Sequence, residues 1–403
     1  MSVTATPMAD AIVPLEVESR EATQATSPAR GRAPARFLQM VMSSLAVWVL
    51  YVPYHTLLRT LGPRRGLAWS RWFARLHWLL TFVGAQYAVR RNLARFHHLF
   101  DTQLSVSTLL RKHLEMKHEC FARVRVYSMH GPENCLHDIS WETTRVGFSE
   151  QSDTYDPGSG VIVVGFHFGF FQMSLEVIPL ILPGCNPMPV INGVAECADK
   201  TAPSISRIAL RKSLNANQRS GLPILYLDTH AALLRLSRFL RQGGSVVIAA
   251  DGMLAHEFIE VPFLDGTLQV PNGWARLAAM TRTRVVVLCD SEIDRHRRRA
   301  WVFDTVGTVG QSEQAVRSAL AESIRVLDSM IRQAPWAWHP WQRLRRSDTG
   351  ASPRYYLTPF GQASYTLPQV EQHSSTSAEC GERSLREAGE LSADISQGPV
   401  DNQ

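Results

Sequence analysis

The chain has 403 residues, of which 45% are hydrophobic and 19% charged, with a formal net charge of +6; this supports a buried core and excludes a fibrous or wholly disordered chain. Residues 1–36 and 351–403 are rich in small and polar side chains and read as poorly ordered tails. With the tails set aside, 35 Lys and Arg face 25 Asp and Glu, and this +10 excess suits an anionic partner: a phospholipid surface, an acidic carrier protein or nucleic acid.

The six cysteines (Cys120, Cys135, Cys185, Cys197, Cys289 and Cys380) show no short paired spacing of the zinc or redox kind. They read as buried small hydrophobes or free thiols in a reducing compartment. Residues 1–35 contain no apolar segment of a cleavable signal.

The first apolar stretch runs from Phe37 to Leu58, about the length needed to cross a bilayer core. Gln39, Ser43, Ser44 and Pro53 interrupt it and Arg59, Arg64 and Arg65 come directly after it, so it fits either a spanning helix or one lying in the interface. Residues 67–87 place Trp69, Trp72, Phe73, Leu76, Leu79 and Leu80 on one helical side. That pattern fits an interfacial helix or a core-facing one. Residues 102–130 predict a helix of mixed charge that packs as a cover over the C-terminal part of the chain.

From about residue 160 the pattern changes to short apolar runs separated by helical stretches. Residues 161–166, 188–193, 245–250 and 284–290 lack polar alternation, as strands buried on both faces do. Residues 204–213, 229–242 and 272–282 predict the intervening helices. The alternation predicts an α/β fold with a largely parallel sheet flanked by helices over residues 101–350, after a helical, membrane-associated segment at 37–100.

At the exit of the first of these strands, GFHFGFFQ (165–172) sets His167 directly after a buried run. Ligands of open α/β sheets bind beyond the carboxyl ends of strands, and an imidazole there is placed to take a proton from a hydroxyl. No Gly-x-Ser-x-Gly elbow or phosphate-binding loop is present, which argues against a serine hydrolase or an NTPase.

Several blocks in order resemble the late acyltransferases of bacterial lipid A biosynthesis and the wider lysophospholipid-acyltransferase group, whose hallmark is a His, four residues, then Asp or Glu. The hallmark stands here as HFGFFQ, His167 to Gln172; Arg91-Asn92-Leu93, residues 239–253, residues 261–290 and the tryptophan-rich PWAWHPWQRLRR (335–346) are similar to further blocks of that group. The likeness spans roughly residues 37–346. It implies a glycerolipid-acyltransferase-like fold and a fatty acyl chain moved from acyl carrier protein or acyl-CoA to a hydroxyl of a lipid or glycolipid, at the cytoplasmic face of the inner membrane. Neither metal nor cofactor nor nucleic acid is expected.

In that group the acidic residue holds the histidine, which deprotonates the acceptor hydroxyl. Gln172 occupies the acidic position here, and its amide can accept a hydrogen bond without supplying charge. Glu176, Glu196, Asp228 and Asp251 are the alternative carboxylates, and Asp251 has the best claim because it ends the strand at 245–250 as His167 ends its own. The expected catalytic set is therefore His167, Gln172 and Asp251, with Gly169, Arg207 and Arg211 toward the substrate; Ile191-Asn192 stands where the group carries Tyr-Arg. A catalytically silent, lipid-binding relative is the alternative that Gln172 leaves open. The run RHRRR (295–299) reads as a solvated basic hairpin.

Overall fold

The structure, a computed structural model, describes residues 52–80, 85–130, 134, 136, 138–148, 160–171, 177–179, 182, 184–185, 187–191, 225–226, 230–252, 257–347 and 352–358. The chain divides into two units, residues 1–57 and 58–403. Of the first unit only Val52–Leu57 is described, and it is helical. The Phe37–Leu58 stretch thus lies mostly outside the described residues. No described helix is long and apolar enough to cross a membrane.

The second unit is mixed α/β, with two sheets flanked by helices. The larger sheet is built from β1 (Ser140–Val146), β2 (Val161–Gly165), β3 (Met188–Ile191), β4 (Leu225–Tyr226), β5 (Val246–Ala249), β8 (Arg284–Glu292) and β9 (Arg297–Thr308) in the order β1-β9-β8-β2-β5-β3-β4. Every neighbouring pair is parallel except the β8–β9 hairpin. All five residues of β2, Val-Ile-Val-Val-Gly, are buried because both faces of the central strand are covered. Its side chains alternate between two cores, Ile162 and Val164 on one face and Val161 and Val163 on the other.

The smaller sheet orders β10 (Leu344–Ser347), β11 (Arg354–Leu357), β7 (Gly266–Pro271) and β6 (Phe258–Phe263) as β10-β11-β7-β6. β11 lies within the expected C-terminal tail, yet its Tyr355 is fully buried against Phe96 and Phe263. The ordered body therefore continues past residue 351, because this aromatic completes the core between sheet and helices.

Helix α1 (Val52–Leu80) is broken at Gly62, where φ is +73°. α2 (Ala85–Phe96) buries Val89, Leu93 and Phe96 at helical spacing. Buried Asn92 donates from its amide to the carbonyls of Trp341 and Leu344 at 2.7 and 3.1 Å, tying α2 to the tryptophan-rich segment. α3 (Val106–His130) covers the carboxyl-end region of the sheet, and α4 (His230–Arg241), α5 (Gly273–Thr281) and α6 (Glu313–Gln333) add apolar faces to the same core. α2 and α3 thus share the core of the α/β body, and no boundary near residue 100 separates them from it. Cys120, Cys185 and Cys289 are buried and form no disulfide.

Candidate active site at the carboxyl ends of three strands

The register of the larger sheet sets Gly165 of β2 level with Ala249 of β5 on one side and Leu288 of β8 on the other. Two residues beyond each of these stand His167, Asp251 and Asp290. Parallel pairing alone therefore gathers one imidazole and two carboxylates at one end of the sheet, where crossovers leave room for ligands.

His167 Nδ1 lies 2.7 Å from Asp251 Oδ1, and the His167 backbone N–H donates to both carboxylate oxygens at 3.1 and 3.0 Å. The indole N–H of Trp338 donates to Asp251 Oδ2 at 3.1 Å. The Asp251 side chain is fully buried, whereas that of His167 is 27% exposed. Burial pushes the Asp251 carboxyl up, but the imidazole beside it, the two kinds of His167 N–H bond and the Trp338 indole together outweigh burial and hold it below the ordinary carboxylate range. An ionised Asp251 on Nδ1 fixes the tautomer with its proton there and leaves Nε2 as the basic nitrogen.

The turn after His167 is held from two further sides. Phe168 bridges Trp338 in the backbone, and the Gly169 N–H donates to the Ala337 carbonyl at 2.9 Å. The His339 backbone N–H donates to the His167 carbonyl at 2.8 Å, and its ring Nε2 lies 2.9 Å from the Gly169 carbonyl. Burial, followed by the charges of His113, Lys117 and His167, holds the His339 pKa down to about 3, so its neutral ring donates steadily to that carbonyl.

Gly169 takes φ +59°, and a Cβ there would fall 2.2 to 2.6 Å from the Asp290 carboxylate, so only glycine fits. Asp290 Oδ1 accepts the Phe170 N–H at 2.7 Å, and its other oxygen receives Arg298 through Nε at 2.7 Å and through Nη2. Burial raises the Asp290 pKa despite the pull of Arg298. The Arg298 guanidinium sits 3.8 Å from the centroid of the Phe170 ring, and that of Arg123 sits 5.3 Å from it.

Every backbone N–H from His167 to Phe171 is thereby used inside the protein, the remaining two by the carbonyls of Phe166 and Phe168. The turn presents a base and no spare pair of amides for an oxyanion. Beside it Phe171 packs on the His167 ring with centroids 5.6 Å apart. Beside Phe171 lies a small apolar cavity of about 10 Å³, room for about one water molecule, lined by Trp141, Phe168, Phe170, Val177 and Leu288, among others.

Of the residues the sequence singled out, the structure brings His167, Asp251 and Gly169 together. Gln172, Glu176, Glu196, Arg207, Arg211 and Asp228 lie outside the described residues. Among the described residues no cluster of His, Cys, Asp and Glu could hold a metal ion. Arg298 corrects the solvated reading of RHRRR: it is buried in β9 on Asp290, because alternation along the strand turns it inward while Arg297 and Arg299 reach Glu142. Sequence reading missed Asp290, Trp338 and His339. Asp290 ends an apolar strand as Asp251 does, and that signal was sufficient to find it. Compared with known proteins, the chain matches no family model and no curated protein in sequence.

Proposed function

We propose that the chain is an O-acyltransferase of the glycerolipid-acyltransferase type, moving a fatty acyl group from acyl carrier protein or acyl-CoA to a hydroxyl of a lipid or glycolipid at the cytoplasmic face of the inner membrane. The observation that carries this reading is the 2.7 Å contact between His167 Nδ1 and the buried, ionised Asp251. A half-buried imidazole backed by a buried carboxylate, with no partner for Nε2 among the described residues, is the arrangement of a general base.

In this scheme the acceptor hydroxyl gives its proton to Nε2 as its oxygen attacks the thioester carbonyl. Asp251 stabilises the resulting imidazolium through the Nδ1 proton. Collapse of the tetrahedral intermediate breaks the carbon–sulfur bond, and the departing thiolate recovers the proton from Nε2. The products are an ester and a free thiol. The carboxylate that Gln172 fails to supply comes from the neighbouring strand, which favours an active enzyme over a silent relative.

The reading is tested by incubating full-length protein on lipid vesicles with a labelled acyl thioester and analysing the lipids by mass spectrometry. Wild type forms an acylated lipid and His167→Ala does not, with the same thermal unfolding. Equal product from both proteins removes His167 from the chemistry; no product from wild type with either donor class contradicts the reading.

A further inference from the structure

From Phe37 to Phe100 the chain carries eight arginines and not one Asp or Glu. That asymmetry becomes a surface on α1. Arg65, Trp69 and Trp72 succeed one another at helical spacings of four and three residues, on one side of the helix, while Leu67, Ser70, Phe73 and Ala74 on the other side are buried. Trp69 is 41% and Trp72 50% exposed, and their rings meet edge to face with centroids 5.2 Å apart. Arg59, Arg64 and Arg65 are exposed and have no carboxylate partner among the described residues. Arg71 and Arg75, by contrast, turn toward α3 and bond Glu119 and Glu115.

A pair of exposed indoles flanked by unpaired guanidiniums is a poor surface for water alone. Indoles prefer the headgroup depth of a bilayer, and exposed arginines close by in sequence reach lipid phosphate there. We propose that the Arg65–Trp69–Trp72 face of α1 docks on an anionic lipid surface, the indoles at headgroup depth and Arg59, Arg64 and Arg65 on lipid phosphates. The proposal goes beyond the enzymatic reading and rests on it only for its consequence, the orientation of the site.

That orientation is set by the contacts on the inner side of the helix. Arg71 Nε donates to Glu119 Oε2 at 2.9 Å, Arg123 Nη2 donates to Glu119 Oε1 at 2.9 Å, and Arg123 lies over the ring of Phe170 in the turn after His167. A short run of ionic contacts thus joins the docked helix to the turn that carries the base, which fixes the turn's place relative to the lipid surface.

The test uses the full chain and vesicles of phosphatidylcholine with or without phosphatidylglycerol, some carrying brominated acyl chains that quench nearby indoles. Three proteins are compared: wild type, the triple variant Arg59→Gln, Arg64→Gln, Arg65→Gln, and the double variant Trp69→Phe, Trp72→Phe. Wild type is expected to bind the anionic vesicles at least ~10-fold more tightly than neutral ones, and the triple variant to lose most of that preference. The double variant is expected to lose most of the bromine quenching while keeping its thermal unfolding.

Quenching that is unchanged in the double variant overturns the docking face. A charge preference that survives in the triple variant overturns the assignment of its arginines. Neither readout needs acyl transfer, so insertion without transfer supports the docking surface and contradicts only the enzymatic reading, and transfer without insertion does the reverse.

Discussion

Asp251, just after β5, and Asp290, near the end of β8, stand at the same level on either side of His167, and both are buried, yet their surroundings give them opposite characters. Asp251 accepts from N–H donors and lies beside an imidazole, and is held below the usual carboxylate range. Asp290 faces the guanidinium of Arg298 and one backbone amide, and burial prevails and raises it. The first holds the imidazole of His167; the second holds the backbone of the turn behind it. Position in the sheet places a carboxylate at the site, and its hydrogen-bond donors decide what it does there.

The comparison is broken most severely on the Asp290 side. Arg298→Met leaves a buried carboxylate without its cation, an outcome expected to cost about 3–5 kcal/mol of stability. Because an unpaired Asp290 escapes part of that penalty by taking a proton, the loss is smaller at pH 5 than at pH 8. Urea unfolding of the variant at the two pH values checks this, and a loss equal at both contradicts the account of Asp290.

A second expectation concerns the histidines packed near the turn. Burial, then Lys117, lowers the pKa of His113 to about 3, and His339 is lowered similarly, while both titrate at the ordinary value once unfolded. Below pH 6.5 the unfolded chain therefore binds protons that the folded chain refuses, so stability falls as pH falls from 6.5 toward 3. Each histidine contributes up to about 1.4 kcal/mol per pH unit in that window. Unfolding midpoints between pH 7 and 5 should show the slope, and His113→Gln should remove about half of it.

A smaller effect is expected on the Asp251 side. Trp338→Phe removes one N–H from a charged acceptor, about 1.5–3 kcal/mol on general grounds, and the lower end applies because three other bonds to Asp251 remain. The acyl-transfer rate should fall several-fold and the unfolding free energy by about 1.5 kcal/mol. Smallest of all is Gln172→Glu: with Nδ1 already held by Asp251, an added carboxylate five residues after His167 should give no gain in single-turnover rate. A gain of ~10-fold or more would mean that Asp251 is not the working partner.

Much of this was legible in the sequence. The continuous apolar runs at 161–165 and 284–290 announce strands covered on both faces, and polar residues at their ends mark the site. Helix α3, expected over 102–130, forms over 106–130. The partnership of Asp251 with His167 was open, since 84 residues separate them and only the β2–β5 register brings them level. Arg298 was misread because five basic residues in a row look solvated, whereas strand alternation buries only the fourth. The hairpin Phe258–Pro271 and strand β11 were not distinguished as strands; their half-polar patterns gain meaning only from the second sheet that pairs them. Trp338 gave no sequence sign of its role, because an indole at a core position looks the same whether or not its N–H meets a carboxylate.

The most direct test of the central claim is the single-turnover rate of acyl transfer as a function of pH for wild type, Asp251→Asn and Asp290→Asn, each with its thermal unfolding recorded. The wild-type rate–pH profile is the reference. Asp251→Asn should lose about 10²–10⁴-fold with that profile disturbed, because the ring loses both its fixed tautomer and its counter-charge. Asp290→Asn, whose amide oxygen can still accept the Phe170 N–H, should keep the profile with a lesser loss. Transfer by folded Asp251→Asn within a few-fold of wild type, with the same pH profile, would contradict the claim that His167 and Asp251 act as a general-base pair.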